Sequence, residues 1–171
     1  MNNMKYSFRQ ATAGDAVEIW KILEKAIKRR KEDGSTQWQD GYPNLSVIEN
    51  DIKKSVGYVL VDDDIITGYC AILINDEPAY ANIKGAWLTN GDFVVYHRVA
   101  ISEKYLGQGL AQRILQHIED FALKHNIDSV KVDTNFDNTG MLWILQKMCY
   151  QYCGEVTFRG SPRKAFEKIL R

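Results

Sequence analysis

Only three cysteines, Cys70, Cys149 and Cys153, occur in 171 residues, with no Cys-x-x-Cys pair and no histidine at ligand spacing. An odd number in that arrangement excludes a disulfide framework and a zinc site, so no metal is expected. Cys149 and Cys153 stand four apart across an expected helix end and read as buried apolar filler. Net charge is missing as well, because 22 Lys and Arg balance 22 Asp and Glu. No global field then draws the chain to nucleic acid or to an anionic membrane, and neither is expected as a partner. No apolar run is long enough to span a bilayer, and Met1 to Ser7 lacks the apolar core of a signal peptide, which makes a cytoplasmic location the expectation. Internal repeats, low-complexity segments and linkers are absent too. One domain over residues 1–171 follows.

What is present is an ordinary soluble composition, 45% apolar and 26% charged, enough for a real core. Lys5 to Arg9 reads as a first strand. Thr12 or Asp15 caps a helix whose apolar stripe is Val17, Ile19, Trp20, Ile22, Leu23, Ala26 and Ile27. The basic cluster Lys28, Arg29, Arg30, Lys31 complements the negative end of that helix. Residues 33–44 form a turn-rich loop displaying Trp38 and Tyr42, and Ser46 caps a short helix through Lys54. Val56 to Val61 and Ile65 to Ile74 are strands joined by the acidic turn Asp62 to Asp64. After a looser connection over 75–92, Phe93 to Ile101 is a strand and Gly107 to His125 a helix. Asp128 to Thr134, Asn138 to Met148, Tyr150 to Phe158 and Lys164 to Leu170 complete the order as strand, helix, strand, strand. Antiparallel hairpins with one strand–helix–strand crossover make the fold class α+β.

The most telling segment runs from Val99 to Leu115. An apolar strand stops, Gly107-Gln108-Gly109 follows, and an amphipathic helix begins at once. Such a loop gathers unpaired backbone N–H groups at the positive end of a helix dipole, a seat for a phosphate or pyrophosphate. Glycine without a Cβ lets the backbone approach its ligand. The loop lacks a P-loop lysine and the spacing of a dinucleotide fingerprint, which counts against other nucleotide-binding domains.

This layout resembles the GNAT superfamily of acyl-CoA-dependent N-acetyltransferases over nearly the whole chain. The opening from Phe8 through Arg9, Ala11, Thr12 and Asp15 is similar to a start common in that family. Leu106-Gly107-Gln108-Gly109-Leu110-Ala111 matches the last two fixed positions of its diagnostic loop, with Leu106 where Gln or Arg is usual. The resemblance implies a mixed, mostly antiparallel twisted central sheet of about seven strands flanked by helices. It implies acetyl-CoA as co-substrate, with Val99, Ala100 and Ile101 along the pantetheine arm. Gly107, Gln108, Gly109, Leu110, Ala111 and Gln112 would then cradle the pyrophosphate, and Asn138 would contact the cofactor. Leu145 stands where much of the family has a tyrosine that protonates the departing thiolate, and Cys149-Tyr150 where Gly-Phe is usual. Either another donor serves or the thiolate leaves without one. Folds of this kind often dimerise through exposed strand edges, so a homodimer stays open.

Acetyl transfer to an amine needs a neutral nucleophile near the thioester carbon, a donor for the oxyanion and a destination for a proton. The resemblance offers a backbone amide around Val99 or Ala100 as that donor. His97 is the preferred base: period-two alternation puts Val95, His97, Val99 and Ile101 on one face, and imidazole titrates near neutrality. Its other reading is a histidine holding a loop or carbonyl. Asp133 could orient His97, bind a cationic amine or act as base, or it could cap the turn to Asn138. Arg98 is expected to pair with an acid at the core periphery. Trp38 and Tyr42 could stack on the acceptor, or pin their loop to the core. The expected function is transfer of acetyl from acetyl-CoA to a primary amine of a small molecule or peptide N-terminus. The alternative is a non-catalytic acyl-CoA-binding or regulatory module.

Overall fold

The computed structural model describes residues 5–171. Its elements are β1 (Tyr6–Gln10), α1 (Ala16–Glu32), α2 (Leu45–Lys53), β2 (Gly57–Asp62), β3 (Ile65–Ile74) and β4 (Lys84–Gly85). They continue with β5 (Val94–Ile101), α3 (Leu110–Lys124), β6 (Ser129–Thr134), α4 (Thr139–Lys147), β7 (Gln151–Phe158) and β8 (Ser161–Ile169). The strands form a mixed, mostly antiparallel sheet in the order β1-β2-β3-β5-β6-β8-β7-β4. No helix among the described residues is long and apolar enough to cross a membrane. The chain groups into two compact units, one running to Ile72 and resuming over His97–His117, the other comprising Leu73–Tyr96 and Ile118–Arg171.

In the first unit, β1 pairs antiparallel with β2 from Tyr6↔Asp62 to Gln10↔Tyr58, and β2 pairs antiparallel with β3. The stripe on α1 is narrower than its sequence suggests. Ile19, Ile22, Leu23 and Ala26 are buried at i, i+3, i+4 and i+7, whereas Val17 is exposed. They pack with Ile48 of α2, Val59, Val61 and Tyr69. Asn44, two residues before the expected Ser46, caps α2 by accepting from the Val47 N–H at 3.1 Å.

Thr12 and Asp15 meet at the entry to α1. The Asp15 carboxylate accepts from the Thr12 N–H at 2.8 Å and from both terminal nitrogens of Arg9, at 2.7 and 3.1 Å. The Arg9 hydrogen bonds hold the Asp15 carboxyl down at about 2. A carboxyl lowered in the folded state stabilises above its unfolded pKa, and that contribution is lost as pH falls through the folded one. Asp15→Asn should therefore flatten the stability curve between about pH 4 and 2, and remove at most about 2 kcal/mol at neutral pH. Urea titrations of both proteins across that range measure it. Parallel curves for the two would show that Arg9 does not hold Asp15.

In the second unit, β5 pairs parallel with β6 at Val94↔Val130 and Val95↔Lys131, while the β4–β7, β6–β8 and β7–β8 registers are antiparallel. The β7–β8 hairpin turns through Arg159 and Gly160, both at positive φ, as a two-residue turn requires. Tyr80, Val95, Val156 and Ala165 form a core cluster with Phe93 and Trp87 against it. The eighth strand, β4, lies inside the connection read from sequence as irregular. It pairs Gly85 with Gly154, each near φ 136–137°, and a Cβ on either would fall 2.1 Å from a carbonyl oxygen of the other strand. Cys153 is buried as expected and Cys70 is buried too, but Cys149, also expected inside, is exposed. It takes a positive φ just past α4, which turns it out of the helix end.

Candidate functional site

Residues 107–112 sit where a strand end, a glycine loop and a helix start succeed one another in the first unit. Gly107 and Gly109 have φ of 75° and 74°, and a Cβ at either would meet no atom within 4 Å. The backbone conformation requires glycine there and the surroundings leave space in front of it. The Arg113 N–H bonds to Gly109 O at 3.1 Å, while the amides of Leu110, Ala111 and Gln112 precede the reach of an i→i−4 bond. Tyr6 lies beside the loop: its hydroxyl donates to Gln108 Oε1 at 3.4 Å and the Arg113 guanidinium lies 5.2 Å from its ring. Gly68 of β3 brings the helix close, since a Cβ there would come within 2.9 Å of both Ile114 and Ile101. Arg29 of the basic cluster reaches Ile101 O at 3.2 Å and fastens the end of β5. An exposed loop of open glycines ahead of unused helix amides fits a diphosphate.

Strand β5 is not extended throughout. Arg98 has φ 57°, a left-handed conformation that costs a non-glycine residue roughly 1–2 kcal/mol. Its side chain supplies the reason. The guanidinium donates to both oxygens of Asp51 at 2.9 and 2.7 Å and to the Tyr42 hydroxyl at 2.5 Å, while the Tyr69 hydroxyl donates to Asp51 at 2.6 Å. Burial, with the Asp51 charge adding to it, raises the Tyr69 phenol and keeps it a donor. Asp51 is the acid expected for Arg98, and both side chains are nearly buried. Beyond the kink, Ala100 packs with the α1 cluster while Ile101 lies on the side of Ile114. His97 itself is half-buried.

The 33–44 loop presents its two aromatics unequally. Trp38 is buried in the first unit's core under the Arg30 guanidinium, 4.6 Å from its ring. Tyr42 is half-buried and holds Arg98.

In the second unit, Asp133 accepts from the Tyr80 hydroxyl at 2.7 Å and lies 3.7 Å from Arg163. Burial raises the Tyr80 phenol far enough to keep it protonated. Asn138 is buried; its Oδ1 accepts from the Met141 N–H and its Nδ2 donates to Thr134 Oγ1, so it caps α4. Leu145 is fully buried and apolar, without a proton to give. No group of three or more His, Cys, Asp or Glu among the described residues is arranged to hold a metal ion.

Sequence reasoning passed over three buried charged residues, Asp51, Lys131 and Glu167. Periodicity carried a signal for two of them. Asp51 follows Ile48 by three on α2, and Glu167 follows Ala165 by two on β8, each in phase with a buried neighbour.

Comparison with known proteins fits this geometry. Residues 20–148 match the sequence model of the Acetyltransferase (GNAT) family. A GNAT-family acetyltransferase from Streptococcus agalactiae 2603 superposes with a TM-score of 0.89 at 34% identity, covering 98% of this chain and 97% of that one. The uncharacterized N-acetyltransferase YesJ of Bacillus subtilis (strain 168) is 24% identical over 144 residues, 82% of this chain and 78% of that protein. The fold alone is shared with yncA from Salmonella typhimurium, solved with its cofactor acetyl-CoA, at a TM-score of 0.69 and 13% identity over 98% and 95% of the two chains. The chain belongs to the acetyltransferase (GNAT) family and is an acetyl-CoA-dependent acyltransferase.

Proposed function

We propose that this protein moves the acetyl group of acetyl-CoA directly to a primary amine of a small molecule or a peptide N-terminus. The observation that carries the reading is the glycine loop at the start of α3, with two open positive-φ glycines and helix amides beyond them. Backbone N–H groups of residues 107–112 hold the coenzyme's diphosphate, with the pantetheine arm along Val99–Ile101. The neutral amine attacks the thioester carbonyl carbon, an amide C–N bond forms, and the C–S bond breaks with its electron pair leaving on sulfur. A strand amide near Val99 or Ala100 donates to the developing oxyanion. His97 takes the proton that the amine loses. Leu145 cannot protonate the thiolate, which leaves as the anion and gains its proton from water.

Free-thiol release from acetyl-CoA, measured over a panel of primary amines, tests the reading. Turnover above the no-amine rate supports it. Saturable acetyl-CoA binding with no turnover on any amine would make the protein a binding module instead. His97→Gln should cut kcat/KM by about 10²-fold or more, the usual worth of a positioned base, and remove the acid-side limb of its pH profile. A profile of unchanged shape rejects His97 as the base.

A further inference from the structure

The second unit contains a cavity of about 700 Å³ between the 75–93 segment and β6, within the range that takes a small molecule. Its walls are pinned by their own polar tips. The Tyr80 hydroxyl is bound to Asp133, and the Trp87 indole N–H donates to Tyr80 O at 2.9 Å. The Tyr80 ring centre lies 4.9 Å from that of Trp87 and 6.1 Å from that of Phe93. Into this aromatic frame projects Lys131 of β6, only 4% exposed, its Nζ 4.5 Å from the Trp87 ring and 4.3 Å from the Phe93 ring.

The two π faces offset part of the cost of burying an ammonium, but they take none of its N–H bonds. The nearby buried carboxylate is already committed. Glu167 accepts from the Leu88 N–H at 2.6 Å, the Thr89 N–H at 3.3 Å, the Thr89 hydroxyl and the Ser129 hydroxyl at 2.7 Å. Four donors on two oxygens fill their lone pairs. Among the described residues no hydrogen-bond acceptor reaches Lys131 Nζ, so its donors are left to the cavity.

The geometry points to this cavity as a binding site for a carboxylate, received by Lys131 between the faces of Trp87 and Phe93. One flexible ammonium without an arginine fork suits a monoanion. Asp76 and Glu77 also line the cavity, oppose a second negative charge and favour a ligand that also carries a positive one. An amino acid, or a small amine with a carboxylate, meets both demands and sets its apolar body against the rings. The carboxylate site stands independently of the transferase reading above.

Calorimetry on the full-length protein without coenzyme, using the twenty common amino acids and their carboxamides, tests the site. At least one amino acid should bind saturably, with its carboxamide at least about 10-fold weaker, roughly the worth of one charge-assisted hydrogen bond. Lys131→Met should erase that preference and Lys131→Arg should retain most of it. Should Lys131→Met not fold, Lys131→Gln and the acid-to-amide ratio of the unsubstituted protein decide. Equal binding of acid and amide, no saturable binding of any amino acid, or a Lys131→Met protein that binds the acid unchanged would overturn the proposal. Coenzyme A titrated into the same preparation separates the two readings. Coenzyme binding without amino-acid binding removes the carboxylate site and leaves acetyl transfer intact, and the opposite pattern does the reverse.

Discussion

Gly109→Asp should weaken acetyl-CoA at least about 100-fold, the equivalent of roughly 2.7 kcal/mol, while the protein stays folded. Both halves follow from the loop. A Cβ at residue 109 meets no protein atom within 4 Å, so the backbone costs roughly 1–2 kcal/mol, that of a left-handed non-glycine residue. The new carboxylate also lies at the positive end of α3, where it offsets part of that strain. A coenzyme held as proposed would find the same amides already facing a negative charge. Gly109→Ala separates the contributions, because it carries the backbone cost without the charge and should lose less than about 10-fold. Calorimetry with acetyl-CoA, alongside thermal unfolding of each variant, reads both. Equal affinity for the Asp variant and the unsubstituted protein would remove the diphosphate from this loop.

The second large effect concerns stability. Asp51→Ala should cost about 3–5 kcal/mol, the penalty for leaving one member of a buried ion pair alone. Arg98 is only 9% exposed at its side chain and donates two bonds to Asp51, and the Tyr69 hydroxyl loses its acceptor in the same step. Adding Arg98→Met removes the stranded charge, so the double variant should lie closer to the unsubstituted protein than Asp51→Ala does. Urea unfolding of the three variants measures the cycle. A loss under about 1 kcal/mol for Asp51→Ala would mean that solvent reaches the pair and screens it.

Where a local rule governs, the sequence and the fold agree. The glycine loop before α3, the centre of the stripe on α1 and the hairpin between β2 and β3 each follow from residues close together in the chain. Features made by distant partners were harder to see. Arg98 has nothing in its own neighbourhood that announces a left-handed φ; Asp51, forty-seven positions earlier, and Tyr42 hold it there. Strand β4 has only two residues and no apolar alternation, so its pairing with β7 leaves no period to detect. Lys131 interrupts the apolar run of β6 and looks like a surface residue until Trp87 and Phe93 close over it. At the candidate site the pattern repeats. The backbone cradle is written in glycines, whereas the side-chain chemistry depends on which segments come together.

Gly85 and Gly154 carry a consequence for how the cavity proposed above could be reshaped. Their strands approach so closely that neither position has room for even a methyl group, and Trp87 follows just beyond that seam. The aromatic wall is thus hung from a joint that tolerates no retuning. Reshaping that cavity then comes from swapping what the connection displays on either side of the joint, with the stitching itself left alone.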